Sequence, residues 1–220
     1  MKKIRIASII FLVFISAAMV GCRSRFLTAD TMPWVGSTPL LFKDGFSFES
    51  GVWQTHEDKL SFSGYQDEKY RLWVDVPYYQ YISVPGLNFR NVKVFTSAEK
   101  QSGPDNNLFG LLCRFQDNMN YYAFIVGSDG YYGIYRVVDG EKSLIGQQNL
   151  DFSENINQGN QANDLMAICQ EDQLVFFVND VRLIQVQDDA LAFGDVGFIA
   201  GNFSEPGVDI LFDNFIVTKP

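Results

Sequence analysis

Three observations predict an all-β domain for most of this chain. Aromatic residues make up 15% of it, with 20 Phe and 10 Tyr. Short β-rich runs alternate with turn signals roughly every ten residues, the spacing of a sandwich or barrel. No long stretch repeats its apolar residues with a helical period.

The elements before the domain are read from the N-terminus. Met1-Lys2-Lys3-Ile4-Arg5 supplies three cations, residues 6–21 are apolar or small, and Met19-Val20-Gly21 leads into Cys22. The apolar run is shorter than the ~20 residues that cross a bilayer as a helix. A basic start, a short apolar core and a small residue before a cysteine have the layout of a bacterial lipoprotein signal over residues 1–21, with Cys22 as the lipidated residue. An uncleaved anchor, or ordinary secretory cleavage near Ala17-Ala18, are the alternatives. Two or three acyl chains would hold the protein far better than one. The expected location is therefore an exported, lipid-anchored one, at the outer membrane or the outer face of the cell membrane. Residues 22–39, from Cys22 to Pro39, are polar, punctuated by Gly and Pro and without period. They read as a tether. The domain spans residues 40–220.

Beyond the signal stand 14 basic and 26 acidic residues, a formal charge of −12, and no two basic residues are adjacent. Nucleic acid needs a basic footprint, so it is excluded as a partner, and contact with the membrane is expected through the N-terminal lipid alone. Cys113 and Cys169 remain once Cys22 is assigned. In an exported protein such a pair is either a disulfide or two small buried residues, and both can occupy inward strand positions.

The β-rich runs follow in order: Trp53, Leu60–Phe62, Tyr70–Val74 and Asn91–Ser97, then a polar loop EKQSGPDNN. Leu108–Phe115, Tyr121–Val126, Tyr131–Val138 and Leu144–Gln147 come next. Leu165–Cys169, Leu174–Val178, Arg182–Val186, Val196–Gly201 and Val208–Thr218 complete the set. Asp129-Gly130 and Asp139-Gly140 are hairpin turns by chemistry, since these residues tolerate positive φ, and Asn179-Asp180 turns a later hairpin. Only Asp188–Phe193 and Gln161–Asp164 have room for a helical turn. Strand alternation assigns faces. Phe109, Leu111, Cys113 and Phe115 point to the core, which sends Gly110, Leu112 and Arg114 outward. Tyr122, Phe124, Val126, Tyr132 and Ile134 point inward, leaving Tyr121, Tyr131 and Tyr135 on the outer face beside Arg114.

The string LFGLLCRFQDNMNYYAFIVGSDGYYGIYRVVDGEKSLIG, the stretch Asn163–Val178, GDVGFIAG at 194–201 and the closing ILFDNFIV resemble the concanavalin A-like lectin/glucanase superfamily, in its laminin-G-like and 3-keto-disaccharide-hydrolase-like branch. The likeness runs from about Leu41 to Val217. It implies a two-sheet antiparallel jelly-roll sandwich whose first and last strands pair, setting Phe46-Ser47-Phe48 near Phe212-Asp213-Asn214-Phe215. Asn179-Asp180 stands where that family usually has Asn-Gly, a departure that a turn tolerates. The fold hosts lectins, hydrolases, lyases and interaction modules alike, so function has to be read from the site.

Glucanases of this superfamily place alternating carboxylates on one strand, and retaining hydrolysis needs its two carboxyls ~5–5.5 Å apart. No such run exists here. Asp209 and Asp213 are four residues apart, ~13 Å along a strand. His56, the single histidine, lies in the polar segment Gln54–Asp58 and reads as a solvated loop residue. Ser102-Gly103-Pro104 is a turn, and no phosphate-binding loop or redox motif is present. The resemblance implies that one structural calcium is common in related sandwiches. Asp44, Asp213 and Asn214 would meet where the end strands pair, although Asp and Asn also populate loops of any acidic protein.

The outward set Arg114, Tyr121, Tyr131 and Tyr135 is the binding candidate. Aromatic rings stack on the C–H faces of sugars and polar side chains bond their hydroxyls. Tyrosine is also a favoured strand residue that stabilises sheets by cross-strand pairing. Pro77-Tyr78-Tyr79-Gln80-Tyr81 forms a second aromatic cluster, read as a rim loop. These features predict non-catalytic recognition of a glycan by a surface-tethered domain. The rivals are a glycoside-active enzyme of the same fold and a protein-interaction or envelope-assembly module. An open groove lined by Arg114, Tyr121 and Tyr135 favours a glycan, and if bulky side chains or loops fill that concave face the lectin reading fails.

Overall fold

The computed structural model describes residues 39–220. Residues 1–38, which hold the expected export signal, Cys22 and nearly all of the expected tether, lie outside the described residues. Within them the chain forms sixteen strands and no helix. The first six are β1 (Leu40–Asp44), β2 (His56–Glu57), β3 (Ser61–Gln66), β4 (Lys69–Val74), β5 (Gln80–Ser83) and β6 (Val92–Ser102). A meander follows: β7 (Asn107–Asp117), β8 (Asn120–Val126), β9 (Tyr131–Val138), β10 (Glu141–Leu144) and β11 (Asp151–Phe152). The last are β12 (Asn163–Gln170), β13 (Gln173–Val178), β14 (Val181–Gln187), β15 (Asp195–Asn202) and β16 (Val208–Thr218).

These strands make two antiparallel sheets. One has the order β14-β13-β12-β6-β16-β4-β3-β2, with β1 added on β16; the other runs β10-β9-β8-β7-β15-β5, with β11 on β9. The domain is a concanavalin A-like jelly-roll sandwich. Its first and last strands pair, with Asp44 opposite Phe215. Phe46 then turns into the core, whereas Phe48 is exposed.

Turn chemistry explains the hairpins. Asp139 and Gly140 both adopt positive φ between β9 and β10, as do Asn179 and Asp180 between β13 and β14. The turn at Asp129-Gly130 is wider, because only Gly130 is left-handed there and its N–H donates to the Gly127 carbonyl. The two segments with room for a helical turn form none: Asn163 already begins β12, and residues 188–194 cross the sandwich edge as an irregular strap. The polar loop after Ser97 is shorter than its composition suggests, since β6 continues to Ser102 with Lys100 buried and bonded to Asp105 and the Gly103 carbonyl. Tyr81, expected on a rim loop, belongs to β5.

The inner faces enclose the main core, centred on Phe198. Its ring stacks on Phe212 at 4.1 Å and on Trp53 at 4.9 Å, and meets Phe215 edge-on at 4.9 Å. Trp53 is not in a strand. Its indole N–H donates to Asp44 at 3.2 Å, which satisfies the polar end of a buried ring. A disulfide joins Cys113 of β7 to Cys169 of β12, linking the two sheets across 56 residues of sequence.

Two outcomes follow for stability. Phe198→Ala should lower unfolding free energy by ~3–5 kcal/mol in urea titration, because the buried ring packs against Phe46, Trp53, Tyr70, Phe212 and Phe215. Alkylation mass spectrometry should find Cys113 and Cys169 blocked until reduction. Replacing both with Ala should lose ~2–4 kcal/mol. Free thiols in the unreduced protein would contradict the bridge.

Candidate functional site: two hollows around a filled sheet face

The outer face of the seven-stranded sheet is a second apolar layer, not an open groove. Leu112, Tyr121, Ile125, Tyr135 and Ile199 are buried there against each other. Leu144 at the end of β10 packs against them, as do Leu150 and Phe203 from the flanking loops. A Cβ on Gly133 would lie 2.7 Å from the Leu150 side chain, so glycine on the strand makes room for the leucine above it.

One hydrogen bond reports the shape of this face. Tyr135 Oη donates to Gln80 Oε1 at 2.9 Å. Their strands are separated by β8, β7 and β15, which in a flat sheet means ~19 Å at ~4.8 Å per step. The sheet must therefore curl strongly about its outer face, which is concave, and Tyr135 bridges the concavity. Tyr135 is 1% exposed and Tyr121 6% exposed, with ring centroids 6.1 Å apart. Burial raises the pKa of both phenols, that of Tyr135 well above its usual value. The Lys142 ammonium lies 3.7 Å over the Tyr135 ring. Lost hydration at this end of an otherwise exposed side chain lowers its pKa to about 8.

Arg114 is not on this face. Asp195 pairs with Phe115 and Gly197 with Leu112, so Cys113 and Arg114 together oppose the single residue Val196. This β-bulge, with Arg114 at φ 53°, reverses the alternation after Cys113. Phe115 turns outward, its ring 5.9 Å from Tyr121. Arg114 turns inward, its guanidinium 5.9 Å from the Tyr122 ring. It is 2% exposed and donates to the carbonyls of Leu191, at 2.7 Å, and Glu171. Gly194 makes the bulge possible, because a Cβ there would lie 2.5 Å from the Arg114 carbonyl carbon.

The four predicted binding residues are thus dispersed. Tyr135 fills the face and Arg114 lies beyond its edge. Tyr131, 44% exposed, meets Phe152 edge-on at 5.7 Å at the far end of β9. Of the three tyrosines only Tyr121 borders an open hollow, and glycan recognition on an open face lined by the predicted set fails. That hollow, about 430 Å³, lies between Tyr79, Gln80, Tyr81 and Ile82 on one side and Asn118 and Tyr121 on the other. It unites Tyr121 with the Pro77–Tyr81 cluster, a union that only the β5–β15–β7 order produces. Tyr79 is 49% exposed, and among the described residues the Asn118 amide has no hydrogen-bond partner within the protein. Gln80 spends its oxygen on Tyr135 and keeps its amide N–H groups free. No acidic residue lines the hollow. Sequence reasoning missed Asn118 because a hairpin asparagine looks like any other turn residue.

A second hollow of about 430 Å³ is walled by Val84, Leu87, Phe115 and Phe193, and the Phe115 ring lies 5.9 Å from Tyr121 of the first. Asp195 closes it, accepting from the Gly86 N–H at 2.6 Å and the Val196 N–H at 2.8 Å. Burial raises its carboxyl to about 6 despite those donors.

The calcium set does not assemble. Asp44 accepts from Phe46 N, Ser50 Oγ, Trp53 Nε1 and Tyr65 Oη, donors that would have to be displaced by a cation. Asp213 accepts the Asn214 N–H, and among the described residues no three His, Cys, Asp or Glu side chains gather as metal ligands. The residues present do not fit the ion. Asp209 is held by Arg71 through two bonds of 2.8 Å, and His56 is exposed, 3.1 Å from Asp58.

No protein-family model and no curated protein matches the chain. Solved structures do. The carbohydrate-binding module CBM66 from Bacillus subtilis is similar, with TM-score 0.61 and 14% identity over 76% of this chain and 96% of that one. A Bacillus subtilis protein of unknown function with a galectin-like fold gives TM-score 0.60 and 12% identity over 82% and 96%. A Bacteroides ovatus mixed-linkage glucan GH16 protein, in complex with its product, gives 0.57 and 12% over 81% and 100%. At these identities the likeness establishes the fold.

Asp195 yields a pH prediction. Its folded pKa of about 6 exceeds the ~4 of an unfolded aspartate. The folded state then binds this proton more tightly, so the contribution favours folding at low pH and is lost as pH rises from ~4 through ~6. Relative to Asp195→Asn, the natural protein should lose on the order of 2 kcal/mol in urea titrations between pH 4 and pH 7. Parallel pH profiles for the two proteins would refute this.

Proposed function

We propose that this protein is a membrane-anchored, non-catalytic glycan-recognition module that binds neutral sugar at the Tyr79–Asn118 hollow. The observation that carries the reading is the lining of that hollow. An exposed tyrosine offers an apolar ring, the Gln80 and Asn118 amides offer unspent hydrogen-bonding groups, and no formal charge intrudes. This is the recipe for a ligand with C–H faces and many hydroxyls. Similar folds that include a carbohydrate-binding module and a product-bound GH16 protein support the ligand class. Hydrolysis would require two carboxyls facing each other at ~5–5.5 Å, or further apart with water between, and the hollow has none.

Anchoring rests on the sequence around Cys22. A lipid there, with a tether to residue 39, would hold an acidic sandwich clear of anionic headgroups. The filled concave face favours one further reading, an envelope-assembly or protein-interaction module, because such a module needs no groove.

A glycan array probed with the protein should show binding to neutral saccharides that Tyr79→Ala and Asn118→Ala each weaken about tenfold, with melting temperature unchanged. A silent array together with a protein that co-purifies stoichiometrically would favour assembly instead. Metabolic fatty-acid labelling should mark the natural chain and vanish in Cys22→Ala.

A further inference from the structure

Arg114 is anomalous in a way that its structural role does not exhaust. Its guanidinium is buried, spends two N–H groups on backbone carbonyls, and leaves Nε without an acceptor. Neither Arg114 nor its neighbour Arg90 forms a salt bridge among the described residues. The carboxylate of Asp188, which might have served, is bonded to Tyr122 Oη and Arg136. Buried charges are normally paired, and an unsatisfied buried donor in a native fold calls for an explanation.

Beside this group lies a hollow of about 220 Å³, separate from the two described above. Arg90, Asn91 and Arg114 form one part of its wall, Glu171 and Asp189 another, and Leu191 with Ala192 a third. We propose that this hollow is a second binding site, which takes the carboxylate of a small hydroxylated acid, of the class of a uronic acid. The exposed Arg90 guanidinium offers a planar fork that matches two carboxylate oxygens, and an anion in the hollow would supply the counter-charge that Arg114 lacks. The two acidic side chains then accept hydroxyl protons from the rest of the ring, which a bare carboxylate cannot offer. The volume sets the size, since pockets for drug-sized ligands begin at ~300 Å³.

The electrostatics agree with this placement. Burial holds the Arg114 pKa below its usual value, and the charge of Arg90 pushes the same way, against Tyr122 and Asp188. Two cations thus line one small volume together with two carboxylates, Glu171 and Asp189. The strap through Leu191 and the hairpin turn at Glu171 are both tied to Arg114, so the walls of the hollow are fixed by the residue that would meet the ligand.

The test is calorimetric titration of the full chain with sodium D-glucuronate, glucose and sodium acetate. Glucuronate should bind saturably, at least about tenfold more tightly than glucose or acetate, and more weakly as salt is raised. Arg90→Ala, an exposed position, should weaken it about fivefold or more, whereas Arg182→Ala on β14 should leave it unchanged. Arg114→Lys, which keeps the charge and loses the fork, should weaken it with the fold retained by circular dichroism. Equal affinity for glucose and glucuronate, or no effect of Arg90→Ala, would overturn the proposal. Acetate binding as tightly as glucuronate would overturn the hydroxylated-acid class.

Discussion

A sheet with two apolar faces has to find cover for both, and the seven-stranded sheet of this domain does so by curling. Its inner face meets the partner sheet around Phe198. Its outer face bends until Tyr135 on β9 reaches Gln80 on β5, and Leu144, Leu150 and Phe203 close over what remains. Burial of apolar surface at ~25 cal/mol per Å² drives both closures. Small residues on the strands, Gly133 and Ala123 among them, give the rings and loop side chains space to lie against the sheet. The consequence for function is direct. The middle of the concavity is spent on stability, and the hollows described here lie around it rather than in it.

The β-bulge at Cys113 and Arg114 governs where those spaces lie. Before it, β7 alternates regularly, which puts Cys113 on the inner face in reach of Cys169. After it, Phe115 caps the outer layer and Arg114 points to the sandwich edge. The bulged arginine then fastens the strap at Leu191 and the turn at Glu171 to the meander. A single extra residue thus closes one end of the concave face and builds the wall of a separate polar hollow.

Much of this was legible in the chain. Alternation along Leu108–Cys113, Tyr121–Val126 and Tyr132–Ile134 assigned inward faces that match the core membership of Phe109, Leu111, Tyr122, Phe124 and Ile134. Paired positive-φ residues placed the hairpins at Asp139-Gly140 and Asn179-Asp180. The candidate site was much less legible. Alternation carries a face assignment only as far as the next bulge, and Arg114 and Phe115 sit on one, so the pattern puts each on the wrong side. It puts Tyr121 and Tyr135 on the right face, but a face that points away from the main core need not be open to solvent.

The amino-acid order by itself determined an all-β chain, its hairpins, its main core and the chemistry of its N-terminal segment, because these depend on local periodicity, turn conformations and composition. Tertiary structure decided which of the outward residues stay accessible. Gln80 opens β5 with Tyr79 just before it, Asn118 comes from a hairpin nearly forty residues later, and only the strand order β5-β15-β7 brings them to one hollow. Arg90, Arg114 and Asp189 likewise meet only because β7 breaks its own period. Curl and bulge are properties of paired strands, and no single strand carries either one.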